Sequence, residues 1–159
     1  MHNYDFPPYR PPNEATSALI RASRGCPWNK CLFCTMYKTL KFKPKSVEEV
    51  KKDIDTAAQI YKGAKTVFIA DSDSLTMKNI DEIIKHIKLR FPKIDRITTY
   101  ARAKTLMKLG KDRLNKIKKA GLSRVHIGLE SGDKKTLEFM CKGATPEEMI
   151  AGGKAAKEA

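Results

Sequence analysis

Residues 65–70 read Lys65-Thr66-Val67-Phe68-Ile69-Ala70, a nearly unbroken apolar run that gives way to the polar stretch Asp71 to Ser74. A strand with one wet face alternates apolar and polar residues. An unbroken run suits a strand covered on both faces, as in a parallel sheet. On its N-terminal side Ser46 opens a helix, and Glu49 completes a capping box with it. Val47, Val50, Ile54, Ala57 and Tyr61 form the apolar stripe of that helix, and Gly63 stops it. On the C-terminal side Ile80, Ile83, Ile84 and Ile87 mark a second helix that Pro92 ends.

The same alternation extends outward. Residues 18–23, 95–100 and 123–129 read as further strands. Leu114 and Ile117 lie on a helix closed by Gly121, and a short helix is expected from Lys134 to Met140. Thr145 opens a last helix, with Pro146 at its first position and Glu148 completing a second capping box. Strand starts near 95 and 123 are spaced as in βαβ units of about 30 residues. The first interval, from residue 18, is longer because it holds a cysteine loop. The class is α/β with a parallel sheet and about four βα units. Functional groups are then expected at the C-terminal ends of the strands. The unusual residues fall there: the cysteine loop, Asp71-Ser72-Asp73, Tyr100-Ala101-Arg102 and Glu130-Ser131-Gly132. In the fourth strand Val125, Ile127 and Leu129 would share a helix-facing side, and Arg124, His126, Gly128 and Glu130 a polar side facing a ligand-filled lumen.

A chain of 159 residues that is 41% hydrophobic can build one domain with its own core. Residues 1–17 form a proline-rich N-terminal arm, with Pro7, Pro8, Pro11 and Pro12 as well as Tyr4, Phe6 and Tyr9. Residues 18–159 form the core domain. No apolar run approaches the roughly 20 residues that cross a bilayer, so no membrane association is expected. Met1 to Tyr9 lacks the pattern of a secretory signal, and the expected location is cytoplasmic. The net charge of +14 fits a solvated lysine-rich surface, and equally an anionic partner such as RNA.

Three of the four cysteines lie within nine residues, as Cys26-Pro27-Trp28-Asn29-Lys30-Cys31-Leu32-Phe33-Cys34. Clustered cysteines outside a disulfide framework hold a metal or a cluster. A structural zinc site takes four protein ligands. Only three are local here, and the distant candidates are His2, His86, His126 and Cys141. A cubane [4Fe-4S] cluster held by three thiolates keeps one iron without a protein ligand, free to bind a cofactor or substrate. The spacing favours that catalytic arrangement over a closed site.

The stretch RGCPWNKCLFCTMYK resembles the cluster loop of the radical S-adenosylmethionine (SAM) superfamily, with four residues instead of the commoner three between the first two cysteines. YRPPNEA, FIADSD and HIGLESGDKKTLEFMCKGAT, in that order, resemble further parts of the elongator-type and methylthiotransferase-like core group. The resemblance implies a partial (β/α) TIM-like barrel, truncated at about four of the usual six units. It implies a [4Fe-4S] cluster on Cys26, Cys31 and Cys34, and reductive cleavage of SAM to a 5′-deoxyadenosyl radical. Phe33 would lie beside the adenine. Asp71 or Asp73 would receive the SAM amino group, in a loop that lacks the family's glycine pair. Arg102 would meet the carboxylate, and Glu130 the ribose or methionine portion. The implied partners are a one-electron reductant such as a ferredoxin or flavodoxin and a C-terminal half or partner chain that completes the barrel; the basic charge, not the resemblance, adds RNA or another anionic substrate.

Plainer roles stand beside these. His126 is expected to be a satisfied interior histidine, His86 to be solvated, Cys141 to be a small buried hydrophobe and Trp28 to pack the loop. Asp71 and Asp73 suit helix capping as well as ligand binding. Two other functions stay open: a basic RNA-binding module carrying a structural metal or cluster without turnover, and an inactive fragment of a larger radical SAM protein.

Overall fold

The computed structural model describes residues 9–159. Most of the arm's aromatic and proline residues, including Tyr4, Phe6, Pro7 and Pro8, and the candidate ligand His2 lie outside the described residues. Four strands, β1 (Ala18–Arg21), β4 (Thr66–Ala70), β5 (Arg96–Tyr100) and β6 (Arg124–His126), form one parallel sheet in the order β1-β4-β5-β6. Two short strands, β2 (Ser23–Arg24) and β3 (Lys43–Pro44), pair antiparallel beside it. The helices are α1 (Val47–Ile60), α2 (Ile80–Arg90), α3 (Ala103–Ala120), α4 (Lys134–Phe139) and α5 (Pro146–Glu158).

Both expected capping boxes form: Ser46 with Glu49 on α1, and Thr145 with Glu148 on α5. One face of the sheet, with Ala18, Ile20, Val67, Ile69 and Ile97, joins Val50 and Ile54 of α1, the four isoleucines of α2, and Leu106, Leu114 and Ile117 of α3 in a single core. Each fully buried isoleucine there contributes about 1.5–3 kcal/mol. The opposite face carries Phe68, Tyr100 and His126, whose rings meet edge to face at centroid distances of 5.1 to 6.1 Å. Helices on one face and an aromatic and polar face opposite are the arrangement of a partial (β/α) barrel.

Two strand readings need correction. The first strand stops at Arg21, and Ser23–Arg24 turns to pair with Lys43–Pro44. β6 covers Arg124–His126 only, where residues 123–129 were expected. Among the described residues it is an edge strand bonded to β5 alone, and no backbone bond past that from Ala101 N to His126 O holds it in the sheet. Val125 and Ile127 therefore pack on the core, whereas Leu129 is 60% exposed. α3 starts earlier than Leu114 and Ile117 revealed, and Gly110, at φ 68°, breaks its helical path.

Two side chains also depart from expectation. His86 is not merely solvated: its Nε2 lies 2.8 Å from Asp55 Oδ1, tying α2 to α1, and Arg90 Nε reaches the same oxygen at 2.9 Å. Cys141 is exposed, not buried, because it sits with φ 53° in the turn between α4 and α5.

α5 packs along α3, and its two adjacent glycines differ in surroundings. A Cβ on Gly152 would collide with the backbone of Ala103, whereas one on Gly153 would meet nothing within 4 Å. Gly152→Ala should thus lose about 1–3 kcal/mol through overpacking. Gly153→Ala should gain up to about 1 kcal/mol from helix propensity. Urea denaturation of the two variants beside the parent checks the opposite signs.

Candidate active site

The C-terminal ends of the parallel strands open into a cavity of about 220 Å³. Cys26, Cys31 and Cys34 all line it, each partly exposed and each a free thiol. Leu32, Phe33 and Met36 of the loop that carries them are exposed, so hydrogen bonds do much of the shaping. Gly25, at φ 84°, lies so close to the backbone of Lys41 and Phe42 that a side chain would crowd them. Its N–H donates to Asp71 Oδ2 at 3.3 Å, and its carbonyl accepts from Ser72 Oγ at 2.9 Å. Arg21 Nε lies 3.3 Å from the same Asp71 oxygen, and both side chains are buried. Asn29 donates from Nδ2 to the carbonyls of Tyr37 and Leu40, at 2.6 and 3.3 Å, which folds the chain after Cys34 back onto the loop. The N–H of Asn29 in turn faces Cys26 Sγ at 3.4 Å.

The turn between α4 and α5 holds the other side of the loop. Leu32 N donates to Met140 O at 2.9 Å, and Trp28 Nε1 to Cys141 O at 2.8 Å. Arg102 Nη2 donates to the carbonyls of Lys142 and Gly143, each at 3.2 Å, while its guanidinium lies 4.9 Å from the Trp28 ring. Gly143 must be glycine, because a Cβ there would enter that ring. Trp28 thus packs the loop and also lines the cavity.

Of the ligand residues implied by resemblance, Phe33, Arg102 and Glu130 line the cavity with the three cysteines; Asp71 and Asp73 do not. Both aspartates are fully buried. Asp71 clamps Gly25 as described. Asp73 accepts from Thr105 Oγ1 at 2.6 Å, tying the loop after β4 to the start of α3. Neither caps a helix through its side chain in the contacts seen, and Ser72 between them is the residue that reaches the cavity. Burial pushes the Asp73 carboxyl up to about 6, against the opposing pull of Thr105 and Arg102.

Sequence reasoning assigned no role to two residues of this site. Lys142 lines the cavity, donates to Glu130 Oε1 at 2.9 Å and lies 5.6 Å from the Phe33 ring. Its side chain is 14% exposed. Glu130 itself has φ 60°, and Gly128 makes room for its carboxylate where a Cβ would collide. Burial raises the Cys31 thiol pKa, and the Lys142 charge opposes that rise. Glu14 is the second. It is fully buried beneath the lumen, where it accepts from Ser17 Oγ at 2.6 Å and meets His126 Nε2 at 3.2 Å and Arg96 at 3.5 Å. Burial alone would raise its pKa, but hydrogen bonds from Ser17, His126 and Thr98 together with Arg96 bring it below the ordinary value. His126 is therefore the satisfied histidine expected, although it also lines the cavity. The motif YRPPNEA contained Glu14, but nothing local to the arm shows that it inserts under the sheet.

The donor set fits a cluster better than a closed metal site. Among the described residues no three His, Cys, Asp or Glu groups stand close enough to share a single ion. The distant candidates for a fourth ligand are placed elsewhere: Cys141 and His86 off the cavity, and His126 on Glu14. Three thiols spread around one cavity suit a larger inorganic body with one position left open.

Comparison with known proteins agrees. The model of the radical SAM superfamily matches residues 20–159. An uncharacterised methyltransferase of Pyrococcus horikoshii is 31% identical over 149 residues, covering 88% of this chain and 30% of that protein. The 4′-phospho-dehydrooxetanocin synthase of Priestia megaterium is 26% identical over 150 residues, covering 82% and 20%. Among solved structures, the cobalamin-dependent S-adenosylmethionine radical enzyme OxsB, with aqua-cobalamin and S-adenosylmethionine bound, superposes with a TM-score of 0.67 at 25% identity. That match covers 88% of this chain and 22% of OxsB. The chain spans less than a third of each of these relatives.

The raised Asp73 carboxyl has a measurable consequence. The native state holds a proton there between about pH 4 and 6, where the unfolded chain has released it, so this stabilisation is lost as pH rises through about 6. Asp73→Asn has no such loss. Its stability relative to the parent should grow by about 2 kcal/mol between pH 4.5 and 7.5. Denaturation curves at the two pH values test this, and parallel pH profiles would contradict it.

Proposed function

This chain belongs to the radical SAM superfamily, and from that premise we propose that Cys26, Cys31 and Cys34 hold a [4Fe-4S] cluster and that SAM binds in the same cavity. Enzymes of this family use both groups. When bound, they supply reductive cleavage of the sulfonium to methionine and a 5′-deoxyadenosyl radical that takes hydrogen from a substrate. The protein's part is to bind, orient and shield.

One observation carries the reading. The three thiols and a Glu130–Lys142 ion pair line a single cavity at the C-terminal strand ends. An amino-acid zwitterion presents one carboxylate and one ammonium, and an adjacent lysine and glutamate complement both. Lys142 is the better partner for the carboxylate, because Arg102 spends its guanidinium on the Lys142 and Gly143 carbonyls. Glu130 is left for the ammonium or a ribose hydroxyl. Phe33, half exposed at the cavity, offers a face to the adenine. Asp71 and Asp73 act one step back, by fixing the thiol loop and the start of α3. The proline-rich arm, as far as it is described, closes the opposite end of the lumen through Glu14.

Anaerobic reconstitution tests the proposal. The protein should take up iron and sulfide and, under a strong one-electron reductant, convert SAM to 5′-deoxyadenosine. Cys34→Ala should abolish both. Lys142→Ala should keep its iron and weaken SAM binding by about tenfold or more, as expected for loss of a charge-assisted contact. Zinc in place of iron would support the RNA-binding module instead. A loaded cluster without 5′-deoxyadenosine would mark the chain as an inactive portion.

A further inference from the structure

The charge of this chain is unevenly distributed. Between Glu14 and Glu48 there is no acidic residue, and seven lysines and arginines fall there, half of the net charge of +14. Arg21 is spent on Asp71 and Lys45 on Asp53. Lys38, Lys41 and Lys43 are exposed, and they fold onto the back of the thiol loop. Lys38 Nζ donates to Asn29 O at 3.1 Å, and the N–H of Asn29 faces Cys26 Sγ. The backbone of Lys41 lies against Gly25, next to Cys26. Lys43 stands opposite Arg24 in the β2–β3 ladder.

Like charges opposite each other weaken a strand pair. Glu49 is committed to its capping box and Asp53 to Lys45.

We propose that Lys38, Lys41 and Lys43 form the docking surface for a small acidic one-electron carrier protein, which reduces the cluster through the back of the thiol loop. The inference rests on the proposed cluster. One electron leaves the reduced carrier and enters the cluster, with no proton or atom transferred. Charge complementarity selects an acidic partner and speeds its encounter. The position favours a carrier over RNA, because a carrier docked on cations packed against the thiol loop sits beside the cluster it must reduce. A nucleic-acid strand would more often find exposed aromatic faces interleaved with its phosphate contacts, whereas Tyr37 beside Lys38 is buried and Phe42 between Lys41 and Lys43 is only partly exposed.

The test uses oxidised flavodoxin as the probe and two triple variants, Lys38→Glu/Lys41→Glu/Lys43→Glu and the milder Lys38→Gln/Lys41→Gln/Lys43→Gln. Calorimetry at low and physiological ionic strength should show parent binding that weakens with salt. Charge reversal should weaken low-salt binding by roughly tenfold or more and remove most of the salt dependence. The glutamine variant should fall between. In reconstituted protein, cluster reduction by reduced flavodoxin should slow by a similar factor, whereas reduction by photoreduced deazaflavin should not change. Equal flavodoxin affinity in parent and variants would overturn the proposal. So would loss of tRNA binding, read by fluorescence anisotropy, with flavodoxin binding unmoved. Failure to take up iron would sink the proposed function separately, while the calorimetry would still decide the docking surface.

Discussion

A loop that turns three thiols toward one cavity cannot be shaped by burial, because its own side chains must stay accessible. Gly25 resolves this. Its amide and carbonyl are both taken by consecutive residues of the β4 loop, Asp71 and Ser72, and Arg21 at the end of β1 secures Asp71. The first two strands of the sheet thereby fix the entry to the cysteine loop. The core beneath β1 and β4 matters to the site through this one clamp, since a shift between those strands would move Gly25 and the thiols with it.

The second half of the chain acts on the loop from the opposite side. Arg102, at the end of β5, holds the α4–α5 turn, and that turn holds Leu32 and Trp28. Two non-glycine residues in this region, Glu130 and Cys141, adopt left-handed backbone conformations. Glu130 belongs to the Glu130–Lys142 pair and Cys141 precedes Lys142, while Asn29 and Asp71, left-handed as well, lie in the thiol loop and its clamp, so local backbone cost gathers around the cavity.

Much of the architecture was legible in the sequence, because its signals are local. The run at residues 65–70, the isoleucine periodicity of α2 and the two capping boxes each declare an element within a few residues. The three cysteines are legible for the same reason. The rest depends on contacts between distant segments. Nothing near Asp71 shows that it will face Gly25, 46 residues away. Nothing in the arm shows that Glu14 meets His126, and nothing near Lys142 shows that it reaches Glu130. The fourth strand was overextended because alternation continues to Leu129, although pairing stops at His126 once the edge strand has no second neighbour. In each case the residue type was informative and its partner was not.

Trp28 is the single tryptophan in the chain. Its indole lies between the Lys30 ammonium and the Arg102 guanidinium, over Gly143, with its N–H on the Cys141 carbonyl. An indole flanked by two cations emits according to their distance and its own hydration. The protein therefore carries an optical reporter at the junction of the thiol loop and the α4–α5 turn. Any event that loosens this junction changes the colour and intensity of its ultraviolet emission, with no competing signal from another indole.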